Sequence, residues 1–431
     1  MSVPDVIVVG AGVVGITTAL KLRAAGLAVL LVDKAEPAAG TSSGNAGAFA
    51  VSEVVPLAEP GIWRKLPSWL ADPLGPLAVR WRYLPSLAPW LLRFAWASRQ
   101  GQVQQLTRQL SALLGSVNED FAPLIARSGL DGMWRRHGAL AVYASEAALT
   151  ADLPRWQHRG EHGVKWQALD GEATRQAEPA LLAPWRNAVS IPEWSHVDDP
   201  YLFTLGLFEQ FIREGGQYLQ QEVTGLLKEQ QAVRGVTLAN GEQRRAGKVL
   251  ITAGVWSDRF ARQADFSLPL ESERGYHLTL PEAGMPLQRY LLNVPGSFVV
   301  LPMANGGIRL AGTVELAHRD ATPDYRRAHL LLDKAQDMLG PLDTTNMTAW
   351  MGNRPSVPET VPVIGPSTRV DGLYFACGHG HLGLTLAATT ARLLHDHFLG
   401  LADIPRHLWP DRYDSPDTQD GQRVPQLEIR S

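Results

Sequence analysis

The apolar positions at the N-terminus fall into two uninterrupted runs with a periodic stretch between them. Val6-Ile7-Val8-Val9 is a block of β-branched residues, the pattern of a strand buried on both faces. Val13, Val14, Ile16, Ala19, Leu20 and Leu22 recur at helical spacing, and the pattern stops at Gly26. A second apolar run, Ala28 to Val32, closes on Asp33. The order predicted is strand, turn, helix, strand.

Helical patterning returns over 101–128, and residues 134–144 read as a strand. An amphipathic helix is predicted over 201–213, with short strands near 217–224, 232–238 and 247–252. Two β-rich runs flank Asn305-Gly306, a favoured tight-turn pair, and predict a hairpin over 297–312. A helix over 325–339 ends at Gly340. The last pattern is a strand, Leu373 to Ala376, a glycine-rich turn and a helix over 383–397. Residues 409–431 are polar and read as a tail.

At roughly 150 residues per domain, 431 residues allow two or three domains. The fold class expected is α/β (α+β overall). A Rossmann-type dinucleotide domain is assigned to 1–60, 200–265 and 345–408, and an inserted antiparallel-sheet substrate domain to 61–199 and 266–344. Hydrophobic residues at 45% and charged residues at 19% suit a globular protein, and a net charge of −3 argues against a nucleic-acid surface. The single cysteine, Cys377, excludes an intramolecular disulfide framework and reads as a buried small residue. No basic lead-in precedes the apolar N-terminus and no apolar run reaches 18 residues. Neither a signal peptide nor a transmembrane helix is expected, and the location expected is cytoplasmic.

Residues 60–99 have a different character. Trp63, Trp69, Trp81, Trp90 and Trp96 alternate with prolines and with six basic residues against one acid, Asp72. A packed helical excursion accounts for this composition, and so does peripheral contact with the inner face of a membrane.

The turn after the first strand is Gly10-Ala11-Gly12-Val13-Val14-Gly15, a G-x-G-x-x-G. Gly10 permits the tight turn, Gly12 lets backbone approach a pyrophosphate, and Gly15 lets the helix lie close to the strand. The helix start offers N–H groups to phosphate, and Asp33 is placed to accept from a ribose. A second strand-to-helix turn, Cys377-Gly378-His379-Gly380-His381-Leu382-Gly383-Leu384-Thr385, brings another helix N-terminus. Its partial positive charge favours a nearby anion such as a reduced flavin, whereas an oxidised nicotinamide gains nothing. The pair of turns favours FAD over NAD. His379 and His381 read as turn residues, and no metal is expected.

Arg354 stands in Gly352-Asn353-Arg354-Pro355, which reads as a stiff loop. A guanidinium there suits two parallel hydrogen bonds to a carboxylate, with a structural ion pair as the alternative. Arg274-Gly275-Tyr276-His277 opens a predicted sheet, where Tyr276 and His277 suit either a polar pocket rim or an edge strand. Ser195-His196-Val197-Asp198-Asp199 lacks the G-x-S-x-G context of a hydrolase triad.

Taken together these segments resemble the FAD-dependent D-amino acid dehydrogenases of the D-amino-acid oxidase superfamily. The resemblance rests on Val6 to Gly15 with Asp33, Thr41-Ser42-Ser43-Gly44-Asn45-Ala46-Gly47, Pro73-Leu74-Gly75-Pro76-Leu77, Arg274-Gly275-Tyr276, Gly352 to Pro355 with Pro358, and Gly378 to Gly383. D-hydroxyproline and D-proline dehydrogenase-like members are the nearest in overall likeness. The resemblance implies FAD contacts from Gly10, Gly12, Val13, Val14, Gly15, Asp33, Lys34, Thr41, Ser42, Ser43, Asn45, Ala46 and Gly47. It adds Val223 for the adenine and Ala253 and Gly254 for the pyrophosphate. Gly380, His381, Leu382, Gly383, Leu384 and Thr385 fall to the isoalloxazine edge. Arg354 matches the residue that holds the substrate carboxylate, with Tyr276 and His277 near the pocket.

The implied reaction is hydride transfer from Cα of a D-amino acid to flavin N5, giving the imino acid. Electrons then pass to a quinone or respiratory-chain acceptor. Three alternatives stay open: a sarcosine- or glycine-oxidase-like enzyme that uses oxygen, a flavin-binding subunit without turnover, and an NAD-linked dehydrogenase.

Overall fold

A computed structural model describes residues 3–65, 74–75 and 77–413, with the side chains of Trp63 and Lys65 excepted. Trp69, Asp72, Pro73 and Pro76 of the Pro73–Leu77 motif, and tail residues 414–431 lie outside the described residues.

The N-terminal pattern folds as Val6–Val9, a helix over Val13–Ala24 and Val29–Asp33. These strands sit inside a six-stranded sheet. Its order is Gln217–Gln220, Val29–Asp33, Val6–Val9, Lys248–Ile251, Leu373–Cys377 and Val363–Pro366. All pairings are parallel except the last. Both faces are covered, which explains the unbroken apolar runs. One face holds the helix Val13–Ala24, against which helices Pro200–Arg213 and Ala387–Phe398 pack. Ile7, Val9, Val249 and Ile251 instead pack with Val233 and Val236, which belong to a three-stranded antiparallel sheet.

A nine-stranded sheet forms the second layer. From one edge it runs Thr348–Ser356, Glu271–Leu280, Ile308–Leu316, Phe298–Pro302, Tyr290–Asn293, Ala139–Tyr143, Asn187–Ile191 and Gln167–Leu169. Leu77–Val79 adds to Ile308–Leu316. The expected antiparallel sheet is therefore mixed: Leu77–Val79 and Ala139–Tyr143 join in parallel, because each arrives from a distant part of the chain. Helix Arg326–Leu339 covers one face through Leu331, Ala335 and Met338.

The structure corrects several sequence expectations. Thr348–Ser356, assigned to the 345–408 piece of the dinucleotide domain, pairs along its length with Glu271–Leu280. The stiff loop at Arg354-Pro355 is thus a strand, and Pro355 is tolerated because that strand is at the edge. The helical run 101–128 is two helices, Gln100–Leu114 and Val117–Ser128, broken at Gly115-Ser116. The strand 134–144 is interrupted at Gly138, which has φ +76°. The strand 217–224 divides between two sheets. The last helix begins at Ala387 rather than 383, after a 3-10 turn over Gly380–Leu382. Residues 409–413 of the expected tail are folded: Arg412 donates to the carbonyls of Val361 and Pro362.

Candidate active site

A cavity of about 1110 Å³ runs from the glycine turn, between the two large sheets, to Arg354 and Tyr290. At one end Gly10 takes φ +116°, and a Cβ on Gly15 would lie 1.9 Å from the Gly10 carbonyl oxygen. Only glycine at position 15 lets the helix start above the strand end. Asp33 accepts the Ala11 N–H at 2.7 Å through Oδ2 and the Ala35 N–H at 3.0 Å through Oδ1. Ser42 Oγ accepts the Val13 N–H at 2.9 Å, and Thr252 Oγ1 donates to the carbonyls of Val9 and Gly10.

The loop 41–47 is tied on all sides. Thr41 Oγ1 donates to the Asn353 carbonyl, and Asn45 bridges the Ser42 carbonyl and the Gly47 N–H. Buried Arg309 donates to the Asn45 carbonyl at 2.9 Å and to Thr279. The Thr385 hydroxyl joins the loop to the C-terminal turn, taking the Ala50 N–H and donating to the Ala48 carbonyl.

Most of the residues proposed to hold the cofactor reach this cavity. Gly10, Gly12, Val13, Val14, Asp33, Lys34, Thr41, Ser42, Asn45 and Ala46 line its first half, with Val223, Ala253 and Gly254 opposite. Gly380, His381, Gly383, Leu384 and Thr385 line the inner end. Four do not face the cavity: Gly15 acts through packing, Leu382 is core, Ser43 donates to the Gly40 carbonyl, and Gly47 serves the loop.

Three features suit a dinucleotide with a fused-ring head. The glycine turn presents backbone to a phosphate, the acid closes the second strand, and the cavity extends far beyond the turn. The C-terminal turn provides a 3-10 start at the inner end, in place of the expected α-helical N-terminus at 383.

At the inner end, alternation along Glu271–Leu280 separates the residues. Glu273, Gly275 and His277 share one face, and Arg274 and Tyr276 share the other. Glu273 lies opposite Arg354 in the strand register. Arg354 Nη1 is 3.1 Å from Glu273 Oε1, and Ser356 Oγ donates to Glu273 Oε2 at 2.6 Å. The cations of Arg354 and neighbouring hydrogen bonds outweigh burial and hold the Glu273 carboxyl below its ordinary range. The ion-pair and the carboxylate-clamp alternatives for Arg354 are compatible, because Glu273 occupies Nη1 while Arg354 still lines the cavity.

Tyr276, proposed as a site residue, is among the residues that line the cavity, but its hydroxyl is bonded elsewhere. Its hydroxyl donates to Glu315 at 2.7 Å and accepts the Asp324 N–H, within a buried Arg274–Glu315 ion pair. The proposed His277 stacks on Trp350 at 4.9 Å, and its Nδ1 meets the Gly44 carbonyl at 2.9 Å. Burial lowers its pKa to about 3, so the ring is neutral and supports the 41–47 loop. His379 is also neutral and buried, bonded to Thr390. Burial likewise lowers the pKa of His381. Burial pushes the Cys377 thiol up to about 12. The Ser195–Asp199 stretch forms no triad: Ser195 is bonded to Trp134 and Asn118, and Asp198 is clamped by Arg135.

Sequence reasoning missed Glu273, Tyr290, Trp350 and Glu53. Glu273 had a signal, the period-two series Glu273, Gly275, His277. Tyr290 had none. It is buried, packs on Trp194 at 5.5 Å, and its hydroxyl feels the charges of Arg354, Glu53 and Arg309. Among the described residues no group of His, Cys, Asp and Glu is arranged to hold a metal ion, and no helix is long and apolar enough to cross a membrane.

A family profile described as DAO, FAD dependent oxidoreductase, matches residues 5–397. A protein of Bradyrhizobium diazoefficiens named D-amino-acid oxidase is 33% identical over 398 residues, which is 90% of this chain and 93% of that one. D-amino acid dehydrogenase 2 of Ralstonia nicotianae is 32% identical, with 91% and 96% covered. The crystal structure of glycine oxidase from Geobacillus kaustophilus superposes with a TM-score of 0.72 at 20% identity, covering 96% of this chain and 99% of that one. The glycine turn, the long cavity and these matches lead to one conclusion: the chain belongs to the DAO family of FAD-dependent oxidoreductases.

Proposed function

We propose that this enzyme oxidises a D-amino acid to its imino acid and passes the electrons to an acceptor other than oxygen, such as a quinone. The observation that carries the reading is Arg354 at the inner end of the cavity, oriented by Glu273 and facing the same space as Tyr290. Bound FAD supplies the two-electron acceptor for the Cα hydride. Arg354 holds the substrate carboxylate and the buried Tyr290 hydroxyl offers it a second donor. Neutral His381 closes the wall without adding charge. Gly10, Gly12, Val13, Val14 and Asp33, with Thr41, Ser42, Asn45 and Ala46, hold the dinucleotide, and Val223, Ala253 and Gly254 complete its cradle. The cofactor unit comprises 1–60, 200–265 and most of 345–408. The substrate unit comprises 61–199, 266–344 and the strand Thr348–Ser356.

D-proline or D-hydroxyproline is the substrate we favour. A panel of D- and L-amino acids with an artificial electron acceptor tests this; turnover of L-isomers or N-methyl amines alone overturns it. The name of the Bradyrhizobium relative favours a second reading, direct use of oxygen. Rapid reoxidation of the reduced enzyme by air selects that reading. Trp81 is 72% exposed with Arg82 stacked on it at 5.1 Å, which supports peripheral membrane contact by the 77–99 stretch. Vesicle co-sedimentation tests it.

A further inference from the structure

The carboxylates lining the cavity can be followed to their partners. Asp33 serves the glycine turn, Glu222 pairs with Arg259, Glu59 with Arg155, Asp152 accepts from Tyr143, and Glu273 is taken by Arg354 and Ser356. Glu36 is exposed at the dinucleotide end, near Asp33. Glu53 alone lies at the inner end with no side-chain hydrogen bond or ion pair among the described residues, and it is only half buried.

Its position is fixed from both sides. The Glu53 N–H donates to the Ala50 carbonyl, and the adjacent Ser52, fully buried, accepts from Trp194 Nε1 at 2.9 Å. Trp194 in turn packs on Tyr290. Ala50 is tied to Thr385, beside the C-terminal turn. The loop thus keeps Glu53 in the lining of the cavity it shares with Tyr290 and His381, within electrostatic reach of both. The other charges within reach are Arg354, Glu273 and Arg309. Arg309 is spent on the 41–47 loop and Arg354 already shares its charge with Glu273. A carboxylate arriving alone would therefore bring excess negative charge beside Glu53. A ligand that carries a cation next to its carboxylate would not.

We propose that Glu53 receives the ammonium group of the substrate whose carboxylate Arg354 receives, both residues lining the same cavity. The site then complements a zwitterion, and Glu53 gives it preference for amino acids over simple carboxylic acids. The inference rests on the amino-acid reading of the cavity. It is tested on the FAD-loaded full chain with two probe pairs that differ in the amine: D-alanine with propionate, and D-proline with tetrahydrofuran-2-carboxylate. The apparent Kd of each amino acid is read from anaerobic flavin reduction, and that of each carboxylate from perturbation of the flavin spectrum. Glu53→Gln is expected to weaken the amino acids at least tenfold while leaving the carboxylates unchanged or tighter, with Glu53→Asp intermediate. Equal weakening of both classes, or no change in either, overturns the role of Glu53. If no amino acid reduces the wild-type flavin, the proposed function itself fails, a result distinct from either of those.

Discussion

Arg354 lies directly across the strand pair from Glu273, with Nη1 and Oε1 3.1 Å apart, and its guanidinium rests over Gly275. A carboxylate within the protein thus holds in place the cation proposed to bind the substrate. The arrangement fixes one edge of the guanidinium before substrate arrives, so less side-chain entropy is lost on binding.

Gly275→Ala tests that arrangement. A Cβ there falls 2.5 Å from Nη2 and 2.6 Å from Cζ of Arg354, so the flexible guanidinium must shift while the strand stays. KM is expected to rise about tenfold or more, since a displacement of this order costs on the order of 10²-fold at a positioned group. Flavin content and melting temperature are expected to stay near wild type. An unchanged KM removes Gly275 from the argument.

Arg354→Leu is the stronger version. It removes the clamp and leaves Glu273 buried beside an apolar group, a loss of about 2–5 kcal/mol in binding by analogy with truncated charge pairs. Amino-acid affinity is expected to fall about 30-fold or more with FAD retained, measured by substrate titration and by absorbance near the flavin maximum. Normal affinity in this variant rules out Arg354 as the clamp.

Asp33→Ala addresses the other end. Oδ2 holds the Ala11 N–H inside the glycine turn, so the change loosens the turn and removes the acid proposed to bind the ribose. The purified variant is expected to hold much less flavin, with the deficit restored by added FAD. Full flavin content after dialysis contradicts the role.

Acid sensitivity follows from the buried imidazoles. Burial lowers the pKa of His196 and His379 to about 4 and that of His277 to about 3, against roughly 6.5 in an unfolded chain. Between these values the unfolded chain binds protons that the folded chain does not. Stability is therefore complete above about pH 6.5 and falls as the pH drops toward 4, by up to roughly 1.4 kcal/mol per pH unit for each histidine. His196 Nδ1 has no partner, and its ring packs on Tyr290 at 5.8 Å, so His196→Phe keeps the ring contact. Urea midpoints at pH 7.5, 6 and 5 are expected to fall less steeply in that variant. Parallel curves exclude His196 as a contributor.

Glu178 offers a stability test outside the site. Fully buried, it accepts the N–H groups of Ala180, Gln288 and Arg289, the last two leading into Tyr290. Glu178→Ala leaves these donors without a partner at a cost of about 2–4 kcal/mol. A melting temperature within a degree of wild type contradicts this.

The dinucleotide end was legible in the sequence because its parts are contiguous. Gly10 to Gly15 and Asp33 lie within one strand-turn-helix-strand unit, and their spacing alone sets which backbone groups meet a phosphate. Arg354 was legible as a residue type, but its strand, its partner Glu273 and its position over Gly275 depend on a pairing between segments about 80 residues apart. Tyr276 and His277 both line the cavity, but neighbours along a strand point to opposite faces, so Tyr276 is held by Glu315 and His277 by the Gly44 carbonyl, partners that only the tertiary structure supplies. Tyr290 and Glu53 carry no local pattern at all. By itself the sequence determined the fold class and the cofactor, and its local spacing pointed to the glycine turn as the proposed cradle for the phosphates. The tertiary structure decided which charges close the far end, because that depends on long-range register and on which carboxylates are already paired.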